Sequence, residues 1–140
     1  MTLYAFLLSV HVIAAILGLG QVTALALLAS SLAARLSVGP ETWRLLQLLV
    51  RGTTVGLIVM MVTGVLIEWS LSGPYHETWW FRASFLGLLV VAALHARTRA
   101  ALRTREALGE QTTMRGLARR AWMMSAVIAA IAVLMELKPA

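Results

Sequence analysis

Four long apolar stretches, Leu3 to Leu32, Leu45 to Leu71, Trp79 to about Leu94 and Ala121 to Met135, are separated by short connectors in which most of the arginines are gathered. An apolar run of about 18 or more uncharged residues has one favourable fate, a helix crossing the hydrocarbon core, because helices satisfy their own backbone polar groups. The chain is 60% hydrophobic and 13% charged, far from the roughly 45–50% and about 25% of soluble domains. These features predict an all-α fold, a four-helix transmembrane bundle forming one domain over residues 1–140. Its spans are expected at about 3–32, 45–71, 79–102 and 117–137. The absence of cysteine excludes disulfides, thiolate metal ligation and covalent c-type haem.

The last two runs are bounded tightly by charge. The uncharged stretches 83–96 and 121–135 would be about 21–23 Å long at a helical rise of 1.5 Å, short of a roughly 30 Å hydrocarbon core. Arg82, Arg97, Arg120 and Glu136 therefore belong near the interfaces, where long basic side chains can snorkel. Trp79, Trp80 and Phe81 suit an aromatic belt. Gly39-Pro40 marks a helix stop and restart, Ser72 to His76 a tight turn, and Gly109 a break within the connector from Arg97 to Arg120. The first run has no charged leader segment and is about twice the usual length of a signal-peptide core, which favours a retained span.

The formal charge of +6 is explained by orientation in a bilayer and calls for no nucleic acid. Arg35, Arg44, Arg97, Arg99, Arg103, Arg105, Arg115, Arg119 and Arg120 fall on the first and third connectors, against Arg82 and Lys138 on the other side. The positive-inside rule then places those two connectors in the cytoplasm and both termini outside, in a multi-pass protein of the cell membrane.

Polar side chains inside the runs are the candidates for function. His11 and His95 each carry ring nitrogens that are costly to leave unpaired in hydrocarbon, so each requires a partner, a water-filled cavity or a metal. His11, Ala15, Gly18 and Val22 share one helical face of little bulk, open to another helix or to a flat ligand. Small residues of this kind also serve packing alone, as does the Gly52/Gly56 pair. Arg51 lies two turns past Arg44, placed either to bind an anionic group or to snorkel. In the third run Trp80, Ser84, Leu88, Val91 and His95 form one stripe that continues to Arg99. In the fourth, Ser125, Ala129, Ala132 and Glu136 form a narrow stripe suited to close packing. Counting from Tyr4 and Trp80 puts the two imidazoles about 12 Å apart in depth, which favours separate roles over one shared iron. Met60-Met61 and Met123-Met124 are adjacent pairs, so at most one member of each is expected to face a given site.

The order of these motifs resembles that of HemJ-type protoporphyrinogen oxidases and the copper-resistance D-like small membrane proteins. The run from His11 to Gly20 is similar to their first span, and Thr53-Thr54-Val55-Gly56 with Thr63-Gly64 to their second. Trp80 through His95 is similar to the third, and Leu137-Lys138-Pro139 to the closing segment. The resemblance implies a four-helix unit that binds haem b or a porphyrin, with His11 and His95 matching the family's histidines as metal ligands or proton-handling groups. Arg51, Arg82 and Arg99 would steady propionates by charge-assisted hydrogen bonds. An oxidoreductase of this kind also needs an electron acceptor such as a quinone, and a homodimer would supply extra wall for a buried cofactor. Whether the chain is an enzyme stays open at this point. Two other readings are a copper or ion transport role using His11 and Met60 or Met61, and a ligand-free subunit supporting a larger membrane complex.

The charge bias is directly testable. A reporter fused after Ala140 is expected to be active only when it functions outside the cytoplasm; activity confined to the cytoplasm would reverse the orientation.

Overall fold

The computed structural model describes residues 2–35, 37–70 and 76–137. It is all-helical among those residues, with four helices long and apolar enough to cross a membrane. We number them α1 (Leu3–Leu32), α2 (Pro40–Ser70), α3 (Trp79–Arg103) and α5 (Glu110–Leu137), with a one-turn α4 (Arg105–Leu108) between the last two. The end of the second apolar run at Leu71, the turn at 72–75 and the closing Lys138-Pro139 lie outside the described residues.

Local chemistry explains where each helix begins and ends. Thr2 caps α1, its Oγ1 accepting the Ala5 N–H at 3.3 Å, which satisfies one of the helix's orphan donors. Pro40 opens α2, a position where its missing N–H costs nothing. The polypeptide leaves α4 through Gly109 at φ 79°, a conformation only glycine adopts without strain. The break expected near Gly109 is therefore present, while α2 and α5 extend as helix through the charged residues flanking their apolar runs.

One feature of α1 was not visible in its sequence. Ala15–Leu19 forms a single π-helical turn, whose extra residue rotates the packing face. The half of α1 before this turn packs on α2, and the half after it packs chiefly on α5. α3 packs along α5, and α2 touches α3 only sparingly. Two pairs thus form, α1 with α2 and α3 with α5.

At the arginine-rich end these pairs close into one core. Val22, Leu25, Ala26 and Ala29 of α1, Leu46 of α2, and Met114, Leu117, Ala121 and Met124 of α5 are almost wholly buried there. Burial of such side chains stabilises by about 1.5–3 kcal/mol each relative to water, an upper figure where the alternative is lipid. Hydrogen bonds from Trp122 Nε1 to Ser30 Oγ (3.0 Å) and between Thr23 and Ser125 hydroxyls (3.2 Å) tie α1 to α5. Glu110 clamps the first connector: its carboxylate accepts from the Val38 N–H at 3.0 Å and the Trp43 indole at 3.3 Å. The Arg105 guanidinium lies 4.7 Å from the Trp43 ring centroid.

Toward the chain termini the pairs separate. None of the α5 residues from 125 to 137 is buried, so the small-residue stripe expected to pack there does not: Ala129 and Ala132 are exposed. The buried face of α5 is instead Met114, Leu117, Ala118, Ala121 and Met124. The outward surface is strongly apolar, with Leu48, Val55, Leu86 and Val133 exposed, the inverse of a water-soluble bundle.

The α1–α2 crossing is the tightest contact. A Cβ on Gly18 would collide with the Gly56 backbone, and one on Gly56 with Gly18. Gly56→Ala is expected to cost about 1–3 kcal/mol through overpacking, read as a lower thermal midpoint in detergent. Gly20→Ala, where nothing lies within 4 Å of the added carbon, serves as the control and should be neutral or stabilising.

Candidate functional site

The splayed half of the bundle forms a half-open cavity of about 1100 Å³, slightly above the roughly 300–1,000 Å³ typical of cofactor sites. All four long helices contribute walls: Ala15 and Leu19 from α1, Gly64 from α2, Phe85 and Leu88 from α3, Ile131 from α5. Nearly all of that lining is apolar. The polar groups that reach it are few, and His11 is the one imidazole among them.

His11 is oriented by the glycine crossing. Seven residues separate it from Gly18, and seven separate Thr63 from Gly56, so antiparallel helices in contact at the glycines bring the two side chains together about two turns away. The His11 Nδ1 lies 2.8 Å from Thr63 Oγ1. The Thr63 hydroxyl has one hydrogen, and it is directed at the Val59 carbonyl at 2.7 Å and shared with Met60 O at 3.3 Å. With that hydrogen on the Val59 carbonyl only lone pairs face the imidazole, an arrangement that makes Nδ1–H the donor to Thr63 and leaves Nε2 unprotonated. Gly64 lines the cavity beside the ring, where a Cβ would stand 3.5 Å from His11 Cε1.

His95 uses the same device one helix further round. Its Nε2 lies 2.8 Å from Thr54 Oγ1, whose hydrogen goes to the Val50 carbonyl at 2.9 Å. With that hydrogen on Val50, Nε2–H is the donor, and the buried Nδ1 has no partner among the described residues. Thr54 and Thr63 are nine residues apart on α2, which corresponds to about 13 Å of rise and a half-turn of rotation. The structure thus sets the two histidines on opposite faces of α2 at different depths. His95 does not line the cavity, and the two rings do not meet at one site.

The three arginines expected beside a porphyrin are also dispersed. Arg51 is exposed on α2 beside Arg44 and Gln47, away from the cavity. Arg99 is exposed near the arginine-rich end of α3. Arg82 is the one at the cavity end: its Nε donates to the His76 carbonyl at 2.9 Å. The His76 backbone N–H in turn donates to Glu68 at 2.8 Å, and Glu68 lines the cavity. A pairing of Glu136 with Arg82 is not seen, and Lys138 lies outside the described residues.

Both Met60 and Met61 line the cavity, together with Met135. This corrects the expectation that one of an adjacent pair must face elsewhere: the splayed half is wide enough to receive side chains diverging by about 100°. The roles of Thr54, Thr63 and Glu68 were not legible in the sequence. The two threonines stood within recognised motifs, but nothing in one helix reports which hydroxyl an imidazole on another will meet.

Comparison with models of known families, with curated proteins and with solved structures finds no match to this chain.

The tautomer assignment gives a direct expectation. In ¹⁵N spectra of the labelled, detergent-solubilised protein, His11 should show a protonated Nδ1 and an unprotonated Nε2. Thr63→Val should convert this to a tautomer mixture and destabilise the fold by about 1–3 kcal/mol, the cost of an unsatisfied buried polar group.

Proposed function

We propose that this chain is a multi-pass protein of the cell membrane that holds haem b, or a related porphyrin, in the cavity of its splayed half. The arginine-rich end faces the cytoplasm and both termini lie outside. The observation that supports the reading is His11: its Nδ1 lies 2.8 Å from the Thr63 hydroxyl and the residue lies on the wall of a large, mostly apolar cavity. Metal-ligating histidines are held in this way, with the non-ligating N–H committed to a fixed acceptor.

The donor set fits the group. His11 Nε2 would hold the iron from the α1–α2 side, the aliphatic and aromatic walls would exclude water from the ring, and Arg82 lies at the end where propionates would emerge. Haem bound in this setting supplies one-electron redox chemistry, its potential tuned by the axial ligand and the burial. His95 has no part in that site and acts as a separate buried polar group joining α3 to α2.

A second reading has a specific observation behind it. Met60, Met61 and Met135 share the cavity with His11, and thioethers with one imidazole suit Cu(I).

The purified protein should show a Soret band, or take up one equivalent of hemin, with a spectrum that shifts on dithionite reduction. His11→Ala should abolish uptake, whereas His95→Ala should retain it. A colourless protein that leaves added hemin unbound overturns the porphyrin reading. Copper at one equivalent by elemental analysis, lost in a Met60→Leu/Met61→Leu variant, would put the copper reading in its place.

A further inference from the structure

Ser84 is the other polar group of the cavity with an unmet requirement. It is 9% exposed, lines the cavity, and its Oγ has no hydrogen-bond partner among the described residues. Hydroxyls on membrane helices usually donate to the carbonyl one turn back, and Thr53, Thr54, Thr63, Thr98 and Thr113 all do so. Ser84 does not. A buried hydroxyl without a partner costs about 1–3 kcal/mol, so its orientation toward the cavity points to a group that the cavity's occupant brings.

Where Ser84 stands relative to His11 follows from the two threonine contacts. His11 is level with Thr63, and His95 is level with Thr54. Moving nine residues along α2 from Thr54 to Thr63 corresponds to moving nine residues along α3 from His95 to Leu86. Ser84 is two residues beyond, an offset of about 3 Å. The imidazole and the hydroxyl are thus at nearly the same depth. They also belong to opposite walls, His11 to the α1–α2 pair and Ser84 to the α3–α5 pair.

We infer that Ser84 forms the distal side of the site. A flat ligand standing between the helix pairs presents one face to His11 and the other to the Ser84 hydroxyl. This inference rests on the porphyrin reading above and adds to it a coordination state. His11 would be the one protein ligand of an iron held there, and Ser84 Oγ would donate a hydrogen bond to a small exogenous ligand on the opposite face. The class of that ligand is a diatomic gas or a small anion, since serine's short side chain offers one donor and the rest of its wall is apolar apart from one thioether. That thioether belongs to Met135, which is 37% exposed and is the competing candidate for the sixth position.

The test uses the full-length protein loaded with hemin, with carbon monoxide and azide as probes. The ferrous protein should bind carbon monoxide without first displacing a protein ligand. Ser84→Ala should raise the carbon–oxygen stretching frequency, because the hydrogen bond to the bound molecule is lost, and should weaken azide binding to the ferric protein about 3- to 10-fold. Ser84→Thr, which keeps the hydroxyl, should restore both values. Two results would overturn the inference alone: a stretch and azide affinity unchanged in Ser84→Ala, or a six-coordinate His/Met spectrum in the wild type, which Met135→Leu would then abolish. Absence of hemin uptake by the wild type would overturn the parent reading and this one together.

Discussion

The close approach of α1 and α2 at Gly18 and Gly56 sets the geometry of everything on the cavity side of the molecule. Each glycine stands where a side-chain carbon would strike the other's backbone, so the helix axes come nearer than any other residue pair would permit. Lipid tails are as apolar as leucine, and membrane helices therefore gain little from hydrophobic burial and much from close backbone packing. The crossing fixes both the separation and the register of the pair. Register places His11 against Thr63, and that hydrogen bond commits Nδ1 to α2. The π turn at Ala15–Leu19 lies at the same crossing. By rotating the second half of α1 it lets one helix serve two partners, α2 before the turn and α5 after it.

Order is distributed unevenly along the bundle. At the arginine-rich end all the long helices converge on a dense core, reinforced by the Glu110 clamp on Val38 and Trp43. At the other end the helices part in pairs and leave the cavity. This division keeps a site open without loss of the fold, because the closed half supplies the packing that the open half gives up. The polar groups of the cavity are correspondingly few: the His11 imidazole, the Thr23 and Ser84 hydroxyls, the Trp69 indole and the Glu68 carboxylate, the last linked through His76 to Arg82 beyond the lining.

His11 and His95 show how local chemistry can repeat without making one site. Each ring meets a threonine whose own hydrogen goes to the carbonyl four residues earlier, so with that hydrogen in place the threonine offers the imidazole only lone pairs. Both threonines lie on α2, but nine residues apart they face opposite directions. Counting from aromatic residues in the sequence already set the histidines at different depths. What it could not show was that they also face away from one another, since that depends on which side of α2 each neighbouring helix occupies.

The sequence by itself determined the number of helices, their approximate ends and their apolar exteriors, because apolar run length, Pro40, Gly109 and the placement of arginines act through the chain's immediate neighbours. It also marked His11, Gly18, Gly56 and Ser84 as residues set apart from their surroundings. The tertiary structure alone decided which of them meet. It paired Gly18 with Gly56, set His11 against Thr63, separated His95 from it, turned both Met60 and Met61 into the cavity and kept Ala129 out of the packed face. The physical reason is that such contacts depend on the relative rotation and register of whole helices. A single π turn changes rotation by most of a residue's angle, and no periodicity within one helix encodes the angle at which another will approach it.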